Sequence, residues 1–293
     1  MPTSSEADRP RGRFARDSAI TRQGADRYGA RVDPGWAVID GAAPNGGYLM
    51  AIAARAMADA AGRPHPLSVT AHFLAACQPG PVEVATRVHR LGGRHATVSA
   101  TLSQSGTPMV AALGVFTDLA AARGPSLDVL GPPPLPRPDR CVATGAGHGS
   151  AAGAGAGGGD EERRPIPPPI FRRFEHRMDP STLGWAEGQP SGEGAMGGYL
   201  RLADGETLDP FGLLVVADCY PPALFNLGGL PVGWAPTHEL TVQVRAVPAP
   251  GWLSAWFTTS AVTDGYLEED GQVRDTTGRL VALSRQLALA PRT

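Results

Sequence analysis

The stretch VVADCYPPAL, residues 215–224, carries one carboxylate, Asp218, behind an apolar run and ahead of two prolines. A carboxylate withdrawn from water holds its proton more tightly, which moves it toward the range where it can take a proton from a water molecule. Asp218 is therefore a candidate general base, although an aspartate near a helix end can equally be a cap or a solvated charge. Gly46 and Gly47 open an apolar run, where unpaired backbone N–H groups and the positive end of a helix could receive a developing oxyanion. Other chemistries are poorly provided for. The seven histidines are scattered, with His72 and His89 in strand-like segments and His238 far downstream. No G-x-S-x-G or H-E-x-x-H occurs, which disfavours serine nucleophiles and zinc hydrolysis. The GAGAGGG run lacks the Lys-Ser/Thr of a phosphate loop. Cys77, Cys141 and Cys219 lie far apart with no metal-ligand spacing, so no metal site is expected and the thiols point to a reducing, cytoplasmic setting.

Two helices must position these groups. GGYLMAIAARAMADAAG, from Gly46, is rich in Ala, Leu and Met and ends at Gly62. ETLDPFGLLVVADCYPPALF begins with acidic residues and a proline and is expected to stay helical up to Pro221-Pro222. Each is followed by Val- and Thr-rich alternating segments, and the two sets resemble each other. LSVTAHFLAACQPGPVEVATRVHRL and HELTVQVRAVPAPGWLSAWFTTSAV each read as strand, Pro-Gly turn, strand, offset by 171 residues at Thr70 against Thr241 and at Gly80 against Gly251. Further on, SGTPMVAALGVFTD matches TGRLVALSRQLALA at an offset of 172, Gly106 against Gly278. Turns such as LGGRH and EEDGQ complete the pattern, so each half reads as a helix followed by a consecutive four-stranded antiparallel meander. One such sheet leaves an unsatisfied edge and face, so the copies should pack side by side in an α+β fold.

The chain of 293 residues has room for two such units. Residues 1–23 read as a flexible N-terminal tail without a signal-peptide core, 24–120 as the first unit, 121–169 as a Gly/Ala/Pro-rich linker, and 170–293 as the second. A flexible stretch of about 45 residues spans roughly 35–40 Å, enough to cross a domain face. With 26 basic against 28 acidic residues, nothing draws the chain to nucleic acid or an anionic membrane. The local cluster Arg163, Arg164, Arg172, Arg173 and Arg177 is either a solvated surface or a phosphate contact. Trp185, Tyr199, Trp234, Trp252 and Trp256 are expected mainly in the core, with some available to line a pocket.

The order PNGGYLMA, HPLSVTAHFLAACQPGPVEV, WAPTHELTVQVRA and LVALSRQLALAPR resembles the double hot-dog thioesterases of the acyl-CoA thioesterase II and thioesterase-like superfamily. The resemblance runs from about residue 24 to the end, outside the linker. It implies a double hot-dog, two antiparallel sheets each wrapped on a long central helix and packed side by side into a continuous sheet, with the site where they meet. It also implies a catalytic trio of Asp218, Thr237 in PTHELTV and Gln286 in LSRQLAL, with substrate binding near Gly46, Gly47 and Tyr48 of NGGY. Gln286 has Gly114 as its counterpart in the first copy, so the halves differ where only one needs a catalytic amide. The implied activity is hydrolysis of acyl-CoA by water, a step of lipid metabolism needing no cofactor. The outer faces leave room for a homo-oligomer. Two other readings stand beside it: a dehydratase of acyl thioesters on the same fold, which needs a His with a carboxylate, and a non-catalytic acyl-CoA binding protein.

Overall fold

The structure, a computed structural model, describes residues 12–39, 43–146 and 168–291. The first half contains α1 (Arg13–Asp17), β1 (Ile20–Arg22), β2 (Arg27–Val32), α2 (Gly46–Ala61), β3 (His65–Phe73), β4 (Gly80–Leu91), β5 (Ala96–Gln104) and β6 (Thr107–Thr117). The second contains β7 (Val142–Gly145), β8 (Phe174–Met178), β9 (Ala195–Leu202), α3 (Gly212–Val216), β10 (Thr237–Val244), β11 (Leu253–Thr258), β12 (Val262–Thr263), β13 (Tyr266–Arg274) and β14 (Leu280–Leu289).

These strands form one continuous antiparallel sheet, the joining of two halves that the resemblance implies, in the order β1-β2-β4-β5-β6-β3-β10-β14-β13-β11-β9-β8-β7, with β12 on β13. Its centre is the β3·β10 pair, where Thr70 lies opposite Thr241. Residues equivalent in the sequence repeat therefore face each other, which puts a pseudo-two-fold axis between them. The Thr70 and Thr241 hydroxyls are 2.9 Å apart. Thr241 donates to Glu239 Oε1 at 3.0 Å, so the Thr70 hydroxyl is the donor to Thr241. The strands do not pair in simple succession as expected. In each half the first strand pairs with the last, β3 with β6 and β10 with β14, and the Pro-Gly segment is a crossover. Gly80 (φ 138°) and Gly251 (φ 112°) both take backbone conformations open to glycine, which explains why both copies keep the residue.

Helix α2 follows its sequence signals closely. Asn45 caps it by accepting the Tyr48 N–H at 2.9 Å, and Gly62 ends it in the left-handed conformation. Nearly its whole surface is buried against β4, β5, β6 and α3. Each fully buried Leu, Ile or Met there contributes about 1.5–3 kcal/mol. The second helix departs from expectation: α3 has five residues and ends at Val216, well before the prolines. The carbonyls of Ala217 and Asp218 would need N–H donors from residues 221 and 222, and both are proline. Asp218 O instead accepts from Asn45 Nδ2 at 2.6 Å. The long central helix thus exists in one half only.

Two segment boundaries also shift. Residues 12–23 are not a loose tail: Phe14 is buried and β1 joins the sheet edge. Part of the expected linker is structured, because β7 pairs with β8 and Arg274 reaches back to Asp128 at 2.6 Å. The rest of the expected tail, residues 1–11, and residues 147–167 of the expected linker lie outside the described residues, as do Arg163 and Arg164. Arg173 is bound to Asp33 and to the Gly35 carbonyl and lies over Trp36. None of the five aromatic residues expected mainly in the core is fully buried; Trp36, Tyr28 and Tyr48 fill that role. Among the described residues, no helix is long and apolar enough to cross a membrane.

Candidate functional site

The last turn of α3 brings Asp218 to the first turn of α2. Gly47 makes this approach feasible: a Cβ there would lie 2.3 Å from Leu214 O and 2.9 Å from the Val215 Cα, both backbone atoms that cannot give way. Arg55 of α2 further ties the helices by reaching Asp209 at 2.7 Å. At this junction Asp218 Oδ2 accepts from Gly47 N and from Asn45 Nδ2, both at 2.9 Å. A negative charge at the C-terminal end of its own helix is thereby turned toward the positive end of another. Oδ1 takes neither of these two bonds, and Asp218 borders a cavity.

Burial and hydrogen bonding act in opposite directions on this carboxylate. Burial raises the pKa, the donors at Gly47, Gly46 and Asn45 lower it, and the balance leaves it pushed up to about 6. Asp218 can therefore be ionised near neutrality while remaining a stronger base than an exposed aspartate.

The cavity measures about 760 Å³, a size suited to an organic ligand, and lies between the two halves. Asp218, Thr237, Gln286 and Gly46 all border it, with apolar walls from Leu49, Phe73, Phe171, Trp185, Phe225 and Phe257. The shortness of α3 opens this space. On the first side, α2 packs so closely that a Cβ on Gly114, the counterpart of Gln286, would lie 3.1 Å from Met57 Cε. On the second side no long helix fills the equivalent volume. A smaller groove of about 430 Å³ on the outer sheet face, beside Leu130 and Trp256, holds none of the candidate residues.

Two strand features aim the polar groups inward. Gln286 is 9% exposed, and it lies opposite Leu240 on one side and Glu269 on the other, both buried. A register shift between Thr237 and Glu239 places Thr237 opposite the buried Ala288, where strict alternation from Leu240 would have turned it outward. Neither the Thr237 hydroxyl nor the Gln286 amide has a protein hydrogen bond among the described residues.

Tyr48 and the glycine N–H groups differ from expectation. Tyr48 is fully buried, stacked on Trp36, and its hydroxyl donates to Asp17 O at 2.6 Å, so it does not reach the cavity. Its N–H is taken by the Asn45 cap, and helical periodicity turns its ring into the core. Gly47 N–H is not free for an oxyanion, because it holds Asp218.

The sequence marks Asn45 only as a position of NGGY that could change the pocket, and it gives no sign of Glu269. Asn45 joins the helix cap to Asp218, and a cap residue carries no signal of a partner 173 positions away. Glu269 is 8% exposed, borders the cavity, and accepts Ala223 N at 2.6 Å through Oε2. The EEDGQ segment read as a turn is the middle of β13. The turn lies at Asp264 and Gly265, both with positive φ, and the Asp-Gly pair was its signal.

The comparisons agree with this architecture. Residues 32–117 match the acyl-CoA thioesterase N-terminal domain and residues 138–290 the acyl-CoA thioesterase C-terminal domain. The fold superposes on a thioesterase II candidate from Thermobifida fusca YX with TM-score 0.80 and 30% identity, covering 96% of this chain and 98% of that one. A conserved protein of unknown function with a hot-dog fold, from Alicyclobacillus acidocaldarius, aligns over 96% of this chain and 98% of its own at TM-score 0.77 and 18% identity, a likeness of fold alone. An uncharacterized protein of Mycobacterium tuberculosis is 28% identical over 274 residues, 84% of this chain and 86% of the relative. With a hot-dog fold and both domains matched in order, the chain belongs to the acyl-CoA thioesterase family and is a thioester hydrolase.

Proposed function

We propose that the protein hydrolyses acyl-CoA thioesters by direct attack of water, with Asp218 as the base and Gln286 and Thr237 as its hydrogen-bonding partners. The observation that carries this reading is the convergence of a buried carboxylate, an unpartnered amide and an unpartnered hydroxyl on one apolar cavity. Asp218 Oδ1 accepts a proton from water as its oxygen attacks the thioester carbon. The Gln286 amide and Thr237 hydroxyl orient that water and donate to the oxygen that gains charge. Asn45 and Gly47 hold Asp218 in place, a positioning role instead of the oxyanion contact expected of Gly47. The acyl chain occupies the aromatic walls. A reducing, cytoplasmic setting is part of the same proposal, supported by the three free cysteines.

The dehydratase alternative is less well supported. The histidine bordering the cavity among the described residues is His238, which is exposed and has no hydrogen bond or ion pair with a carboxylate. His176 is buried outside the cavity lining, and burial lowers its pKa to about 4, so it stays neutral. The test is thiol release from acyl-CoA substrates of graded chain length, with a 3-hydroxyacyl-CoA included. Free thiol without enoyl absorbance is expected. Enoyl product without thiol would replace hydrolysis by dehydration, and binding without either product would leave a binding protein.

A further inference from the structure

We infer that Glu269 is a second catalytic group of this site, the acid that protonates the departing thiolate; this rests on the Asp218 reading above. Glu269 borders the same cavity as Asp218 and lies opposite Gln286 across the β13·β14 pair. Directly opposed residues on one sheet face have Cβ atoms about 5 Å apart, so Glu269 and Gln286 share one wall of the site. Ala223 N–H fixes Oε2 at 2.6 Å, just beyond the prolines that follow Asp218. This contact anchors the carboxyl but leaves Oε1 without a protein partner among the described residues, and Oε1 is not sealed from the cavity.

The cavity's charge balance gives this acid a task. Among the described lining residues there is no Arg or Lys, so a released thiolate would meet no counter-ion. Protonation as the C–S bond breaks removes the problem. In balanced form, Asp218 takes one proton from water, the water oxygen bonds to the acyl carbon, and the sulfur leaves with the bonding pair and takes the Glu269 proton. Asp218 then returns its proton to Glu269 through solvent, and the products are a carboxylic acid and a thiol.

The electrostatic surroundings order the two carboxyls in the required way. Burial raises Glu269 most, the Ala223 N–H opposes it, and the Asp218 and Glu268 charges raise it again, to about 7. Asp218 ionises first, near 6. The other titratable groups on the cavity are Cys77, Cys219 and Tyr220, all neutral because burial raises their pKa values, and His238 at the cavity rim. Arg285 of β14 is turned away and paired with Asp270. The Asp218 charge adds to burial in holding the Glu269 proton, so ionised Asp218 favours an acid at Glu269, the arrangement that divides two carboxyls into opposite roles.

The test compares acyl-CoA with an aryl thioester of the same acyl group whose thiol is strongly acidic and leaves without a proton. Glu269→Gln keeps an oxygen for Ala223 N–H. It should lower kcat on acyl-CoA by about 10²-fold or more while lowering the aryl thioester far less, and it should remove the alkaline limb of the acyl-CoA pH profile. Equal losses on both substrates, with the limb retained, would overturn the assignment and leave Glu269 a structural anchor. Should E269Q fail to fold, the wild type decides: the acyl-CoA to aryl rate ratio should fall as pH rises through about 7, and a constant ratio would overturn it. Asp218→Asn is the separate control. If it retains full rate on both substrates the Asp218 reading fails, whereas D218N inactive with E269Q unselective refutes only the role of Glu269.

Discussion

Replacing Asp218 by Asn should weaken catalysis and strengthen the fold, with the second effect depending on pH. The folded-state pKa is raised from 3.8 to about 6, a difference of about two units. Because it is raised, the native state binds the proton more tightly than the unfolded chain. The associated stability is fully present below the unfolded value and is lost as pH climbs through about 6. At about 1.36 kcal/mol per unit, ionising Asp218 costs the fold about 3 kcal/mol by pH 8, a ceiling because Asp218 borders the cavity. Asparagine preserves the shape, can accept from Gly47 N–H through its oxygen, and does not titrate. Removing the charge also relieves Glu269, whose pKa Asp218 raises, in the same direction. The stability advantage of D218N over wild type should thus grow by up to about 2.5 kcal/mol between pH 4 and pH 8, or a relative melting shift of up to about 5–8 °C. Urea denaturation of both proteins across that range measures it, and thiol release should fall at least about a hundredfold in the same samples. A stability difference that does not vary with pH would refute the burial argument for Asp218, and a D218N protein as active as wild type would refute its role as base.

Further outcomes follow from the packing. Gly47→Ala drives a Cβ to 2.3 Å from Leu214 O, so it should destabilise by about 1–3 kcal/mol in urea melts and release Asp218 from its donor, lowering kcat. At the pseudo-two-fold axis, Thr70→Val and Thr241→Val should each cost about 0.5–1.5 kcal/mol. The double variant should cost less than their sum by about 0.5 kcal/mol, as a double-mutant cycle would read. Trp185 borders the cavity with its ring 5.2 Å from Phe225. Trp185→Ala should raise the kcat/KM of long over short acyl-CoA substrates by about tenfold, since added methylenes gain about 1–3 kcal/mol in newly opened apolar space.

The legible parts of this protein were those carried by local signals. Gly46 and Gly62 bound helix α2 as the sequence indicates, because capping acts within a single turn. The 171-residue offset anticipated that Thr70 and Thr241 are equivalent, and the structure makes them neighbours across the axis. Resemblance brought Asp218, Thr237 and Gln286 together before any coordinates, and they do share one cavity. The failures have local causes too. EEDGQ reads as a turn because it contains an acidic pair and a glycine, although Asp264-Gly265 is the stronger hairpin signal. A residue placed in a turn gives no sign that it borders a cavity, and Glu269 is such a residue. The resemblance implies Tyr48 at the pocket, yet one step along a helix turns a side chain by about 100°.

The amino-acid order alone determines the ends of α2, the alternation of the strands and the repeat, because each depends on backbone sterics or on hydrogen bonds within a few residues. Only tertiary structure decides what those elements do together. It decides that α3 stops at Val216 and leaves space beside Asp218, that Gly47 N–H is engaged by a carboxylate from the other half, and that two acids border one cavity with no Arg or Lys among its described lining residues. The reason is that a pKa and a free donor are properties of surroundings. Burial, charge and hydrogen-bond competition come from residues far apart in the chain, and they are defined only once the halves have met.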